Sequence, residues 1–193
     1  MQPFIGPIIL SLHFELGRRP HQPANGARWF AEKQCGSREQ PSRSVCPLQG
    51  TVLSDTRIAS HLLDSYRQTD YQVHGPAPFS LRIGQPNEPL LQLYKQHRCD
   101  RAAFITACNP YSQKLAPAVN AQRHLDLMAD LTTRSLIFVE GMGIGQDPDW
   151  LGEASCLIFG LALEASRVLG HKFNQNAIVW CDQNAKPDLV LLR

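Results

Sequence analysis

AAFITACNPYSQKLAPAVNAQRH, residues 102–124, is the stretch on which the reading of this chain turns. Ala102–Cys108 is a short apolar run that reads as a buried strand and ends at Asn109-Pro110. Pro117 suits the first turn of a following helix, where no amide donor is missed, and that helix extends to about Thr132. Asn120 and Arg123 stand at i and i+3 near its start, so they share a face. The same face continues into Leu127 and Leu131, which turns Asn120 and Arg123 inward over the strand end.

Working outward toward the C-terminus, Ser135–Glu140 reads as a strand and GMGIGQDPDW as a loop. Ser155–Leu161 is a further strand, and Leu163–Gly170 a helix closed by glycine. Ala177–Cys181 is a strand, and Leu189–Leu192 adds another. Strand–helix–strand–strand–helix–strand is the split βαβ order of a ferredoxin-like core, an α+β sandwich. Toward the N-terminus, Ser54-Asp55 can cap a helix carrying Ile58, Leu62, Leu63 and Tyr66 at helical spacing. Extended segments Tyr71–His74 and Phe79–Ile83 follow, and PNEPLLQLYKQH is a turn and short helix with Leu90, Leu91, Leu93 and Tyr94 as its stripe. Residues 51–193 are therefore expected to form one globular domain, the core joined by an N-terminal helix and extra strands.

Residues 1–50 have a different texture. Rich in Pro, Gly, Gln, Arg and Ser and without period, they bury too little apolar surface to offset chain entropy and are expected to be largely disordered. They are either a disordered tail or the product of a mis-annotated start, rarely translated in the cell. The net charge of +2 is concentrated there: six Lys/Arg stand against three Glu, whereas the remainder carries thirteen basic and fourteen acidic residues. That body offers no basic footprint for nucleic acid. An apolar fraction of 43% and no run near the ~20 residues of a membrane helix argue for a soluble protein outside the membrane. MQPFIGPIILSLHF lacks the basic start and cleavage site of a secretory signal, so the expected compartment is the cytoplasm.

If the first core strand and the fourth are antiparallel neighbours, the exit at Asn109 meets the entry FNQNAIVW, bringing in Gln175 and Asn176. Pro110 bars the right-handed helical region at Asn109, which is expected to stay extended. One rim would then gather Asn109, Tyr111, Asn120, Arg123, Gln175 and Asn176. Amides present paired donors and acceptors, and a guanidinium grips carboxylate or phosphate. None titrates near neutrality, so the set suits recognition and not acid–base work. The plainer alternative is that these amides tie loops to strand ends. With the first and third core strands taken as parallel, the loop carrying Trp150 and Glu153 falls at the opposite end of the sheet.

Other chemistries find little support. Gly141, Gly143 and Gly145 are followed by Asp147-Pro148-Asp149-Trp150, which matches neither the dinucleotide fingerprint nor the phosphate loop, so no cofactor is expected. Asp147, Asp149 and Glu153 miss the calcium-loop spacing. Six cysteines (Cys35, Cys46, Cys99, Cys108, Cys156, Cys181) form no Cys-x-x-Cys pair and no zinc pattern, so no metal is expected either. No Gly-x-Ser-x-Gly elbow occurs, and a Cys108 nucleophile with His124 lacks any supporting motif.

Phe104-Ile105-Thr106-Ala107 with Asn109-Pro110, then Asn120-x-x-Arg123, Gly141, Trp150-x-x-Glu153-x-Ser155 and Phe173-x-Gln175-Asn176-Ala177-Ile178-Val179 resembles bacterial domain of unknown function family 3293, over roughly residues 60–181. Cys108 stands where the family would place a larger residue, often tryptophan. The resemblance implies a small bacterial cytoplasmic protein and draws attention to the amide rim and to Trp150/Glu153, with no reaction, cofactor or partner attached. The expected function is a module binding a small anionic or amide-bearing molecule at the rim. A non-catalytic protein-interaction or regulatory module using Trp150 is the alternative, and a hydrolase with Glu153 or Asp149 as general base is a third.

Overall fold

The computed structural model describes residues 56–147, 150 and 152–193. The expectations for residues 1–50, the helix cap at Ser54-Asp55, and Asp149 lie outside the described residues.

In chain order the elements are α1 (Ser60–Gln68), β1 (Asp70–Val73), β2 (Phe79–Leu81), α2 (Glu88–His97), β3 (Ala102–Thr106), α3 (Pro117–Thr133), β4 (Phe138–Ile144), β5 (Glu153–Phe159), α4 (Leu163–Lys172), β6 (Ala177–Cys181) and β7 (Pro187–Leu191). The fold is mixed α+β. Seven strands form one antiparallel sheet in the order β2-β1-β4-β5-β3-β6-β7. Helices cover both faces, which is why β3, near the middle, reads as an unbroken apolar run instead of alternating. Ala103, Ile105, Cys156, Ile158 and Ile178 pack with Leu127 and Leu131 of α3 and Leu169 of α4. On the other face Phe104, Leu157, Phe159, Val179 and Cys181 pack with Leu90 and Tyr94 of α2.

Two expectations are corrected here, and both bear on the site. First, β3 and β5 are antiparallel, with Thr106 opposite Ser155 and Ala102 opposite Phe159. β5 is the hairpin return of β4 and slots between β4 and β3, so it runs against both. Its entry therefore lies beside the exit of β3, and Glu153 arrives at the same sheet end as Asn109.

Second, most of the glycine stretch is strand. Residues 141–144 continue β4 and pair with β1, Val73 opposite Gly141 and Tyr71 opposite Gly143. Glycine suits this place because a Cβ at 141 would collide with the Gln72 carbonyl and come within 2.8 Å of the Phe104 ring. β4 also begins later than expected, since Ser135 (φ 55°) and the Leu136 amide, bonded to Leu131 O at 3.0 Å, close α3. At its N-terminus α1 is capped by Ala59, leaving the buried Ile58 outside the helix. β1 and β2 end one or two residues early, at Val73 and Leu81.

Candidate functional site

Asn109 is the hub of the shared sheet end, and its backbone is left-handed (φ 44°, ψ 62°), not extended. Pro110 bars the right-handed region, and asparagine is among the few residues that enter the left-handed one readily. Side-chain bonds hold it there. Asn120 Oδ1 accepts from the Asn109 amide at 2.9 Å, while Asn109 Oδ1 accepts from Asn120 Nδ2 at 2.8 Å and from the Leu115 amide at 2.9 Å. Asn109 Nδ2 then donates to Glu153 Oε1 at 2.7 Å. The Trp150 indole donates to the same oxygen at 3.2 Å. The two clusters placed apart in the sequence reading thus form one hydrogen-bonded unit.

The backbone around this hub is strained. Tyr111 (φ 53°) and Ser112 (φ 57°) are also left-handed, so three non-glycine residues of the segment 109–112 occupy that region. Bonds from Tyr111 N to Asn174 O (2.7 Å), Ser112 N to Asn109 O (2.8 Å) and Gln113 N to Pro110 O (3.0 Å) hold the turn. Strain of this kind is concentrated where a fold must present particular groups.

The expected rim residues divide by role. Arg123 donates to two backbone carbonyls, Nε to Ala107 O at 2.6 Å and Nη2 to Phe173 O at 2.8 Å. Gln175, buried, donates to Cys108 O at 3.0 Å and Phe173 O at 3.2 Å. These bonds stitch the β3 exit to the β6 entry. Asn176, also buried, donates to Tyr66 Oη at 3.2 Å and Ser112 Oγ at 3.1 Å, and those two hydroxyls are 2.6 Å apart. This triangle fastens the last turn of α1. Tyr111 is exposed, its hydroxyl bonded to Asn174 Oδ1 and its ring under the Arg193 guanidinium at 4.4 Å.

A cavity of about 370 Å³ lies between α1, the strand ends and the loop after β4. Its walls include Tyr66, Tyr71, Phe104, Gly143, Trp150 and Glu153, with Asn109 and Gln175 at the sheet end. Tyr71 and Phe104 meet edge to face at 5.5 Å, and the Tyr71 hydroxyl donates to Tyr66 O at 2.7 Å. Arg123, Tyr111, Asn120 and Asn176 do not line it. A second cavity, of about 470 Å³, opens on the α3 side and includes Cys108, Asn120, His124 and Glu140. Asn109, Trp150 and Glu153 belong to both walls.

Glu153 is the chemically distinctive group. Burial raises its pKa above the ordinary carboxylate range, and the Asn109 and Trp150 donors only partly oppose that. Burial likewise raises the Tyr71 phenol. Cys108 is held as a thiol: burial pushes its pKa up, and its sulfur faces Asn120 O at 3.8 Å and Ala154 O at 3.6 Å. His124 is turned to Glu140 instead, Nε2 to Oε2 at 3.5 Å. Among the described residues no His/Cys/Asp/Glu group is arranged to hold a metal ion, and no helix is long and apolar enough to cross a membrane.

Sequence reasoning missed Tyr66, Tyr71 and Ser112. Tyr66 read as part of the apolar stripe of its helix and Tyr71 as the start of an extended segment, since spacing says nothing of where a hydroxyl ends, and Ser112 sits in a loop without period.

Residues 105–178 match the model of the family described as Protein of unknown function (DUF3293). The family segment contains the Asn109–Glu153 hub, Trp150, Gln175 and Asn176, and leaves out α1 and β1, which supply Tyr66 and Tyr71. No curated protein and no solved structure matches the chain.

Proposed function

We propose that this protein binds a small molecule in the cavity beneath α1, with the Glu153 carboxyl group as its hydrogen-bonding anchor. One observation carries the reading: a part-buried carboxyl group, oriented by Asn109 and Trp150, stands at the wall of a cavity that it shares with Tyr66, Tyr71 and Phe104. Apolar walls with a few oriented polar groups are what small-molecule sites have in common. An anionic ligand is disfavoured, because Arg123 is committed to carbonyls and does not line the cavity. The amides of the rim then act as the frame that positions Glu153.

The order β4-β5-β3-β6 of the core strands, with α3 and α4 on one face, supports a ferredoxin-like core as our reading of the topology. The free Cys99, Cys108, Cys156 and Cys181 are in keeping with the cytoplasm as the proposed compartment.

A second reading has its own observation. A carboxyl group whose proton affinity is raised by burial is suited to general acid–base work, so hydrolysis with Glu153 as general base is the catalytic alternative. Trp150 as a protein-interaction anchor is less favoured, because its indole is bonded to Glu153 and lines both cavities.

The test is a thermal-shift screen of the full chain against amides, amines, carboxylates and phosphates, with Glu153→Gln alongside. A ligand at 100 times its dissociation constant adds about 2.7 kcal/mol, or roughly 5–10 °C for a domain of this size. The expected result is a shift that the variant abolishes or weakens at least tenfold. A ligand whose shift is identical in Glu153→Gln refutes the role given to the carboxyl group.

A further inference from the structure

We infer that the cavity beneath α1 is built for an organic cation, because Tyr66, Tyr71, Phe104 and Trp150 share its wall with Glu153 and, among the described residues, no lysine or arginine lines it. The inference deepens the binding reading and rests on it.

The charge inventory of the lining decides between ligand classes. Besides Glu153 it includes Asp147 from the loop after β4. Among the described residues its one basic group is His61, exposed on α1. An anion entering here would meet the part-buried Glu153 carboxyl group, with no guanidinium or ammonium among the described lining residues to balance it. A neutral ligand would leave the Glu153 charge uncompensated whenever that group ionises. A cation instead supplies the opposite charge that burial withholds, favouring the ionised carboxylate. Aromatic faces add attraction for a positive group, most of all for a weakly hydrated alkylammonium, which loses little on leaving water. With about 370 Å³ available, the cavity suits a compact amine or quaternary ammonium compound, not an extended one.

Binding of such a cation has a defined pH dependence. Ionised Glu153 attracts it and protonated Glu153 does not, so affinity increases as pH rises through the range where this carboxyl group loses its proton. The other titratable groups around the site are His61 and Tyr66 of α1, Tyr71 of β1, Asp147, and Cys108 at the exit of β3.

Choline and its uncharged isostere 3,3-dimethylbutan-1-ol test the inference, with calorimetric titration of the full chain at pH 5 and pH 8. Choline is expected to bind at least tenfold more tightly than the alcohol at pH 8, with the gap narrowing at pH 5. Glu153→Gln should close most of that gap. Trp150→Leu gives a companion check, removing both a ring and a donor to Glu153: it should weaken choline several-fold and the alcohol less. Equal binding of the two compounds at pH 8 overturns the cation assignment while leaving a small-molecule cavity. Binding of neither compound at millimolar concentration also overturns the cation assignment. If the broader compound screen is silent as well, the binding reading falls with it.

Discussion

Asn109→Ala is the perturbation that tests the site most directly, because one side chain joins the strand exit, the α3 start and Glu153. The substitution removes a donor to a carboxylate, a bond of about 1.5–3 kcal/mol. It also removes the acceptor for Asn120 Nδ2 and the Leu115 amide, each worth about 1 kcal/mol and more where the orphaned partner is shielded from water. Alanine in the left-handed region adds about 1–2 kcal/mol. Shared partners make these contributions less than additive, so the expected loss is about 3–5 kcal/mol. Urea denaturation followed by fluorescence measures it, and with a slope of about 2 kcal/mol/M the midpoint falls by roughly 2 M.

Asn109→Gly separates the causes. Glycine relieves the backbone strain without restoring any side-chain bond, so it should recover about 1–2 kcal/mol of the loss. Asn109→Asp is the sharper companion. It keeps the acceptor toward Leu115 and Asn120 but places a carboxylate against Glu153, so the variant should lose stability steeply as pH rises and both groups compete for one proton. An Asn109→Ala cost below about 1 kcal/mol would refute the view that this residue organises the sheet end.

Two further predictions concern the same end of the molecule. Glu153 has a folded-state pKa above its unfolded value, so its contribution to stability is fully present below the ordinary carboxylate range and is lost as pH rises through the raised value. Glu153→Gln should therefore gain on the wild type progressively with pH across that window, and denaturation at several pH values would show it; a constant difference would refute the burial argument. Gly141→Ala should cost at least about 2 kcal/mol, because its methyl group meets the Gln72 backbone and the Phe104 ring; a melting temperature within a degree of wild type would contradict the packing described.

Several parts of the fold were legible because one local rule decided each. Ala177–Cys181 is a strand as read, and α3 runs from Pro117 to within a residue of its expected end. In both, the apolar pattern and the breaker residues point the same way. The glycines of β4 misled the reading for a physical reason. Glycine signals a turn by its freedom, yet at 141 it is used for its lack of volume, and only the ring and carbonyl that press on it reveal the difference.

By itself the sequence determined where most of the helices and strands lie, that Asn109 could not continue a helix before Pro110, and that amides and a guanidinium would collect at one strand end. Tertiary structure decided what those groups do. Local patterning carries no information about strand direction between distant segments, and the antiparallel pairing of β3 with β5 is what carries Glu153 to Asn109. Nor does residue type reveal whether a donor is already used: Arg123 became a brace when two backbone carbonyls closed on it. Glu153 became the distinctive group when the fold partly withdrew its carboxylate from water beside Asn109 and Trp150.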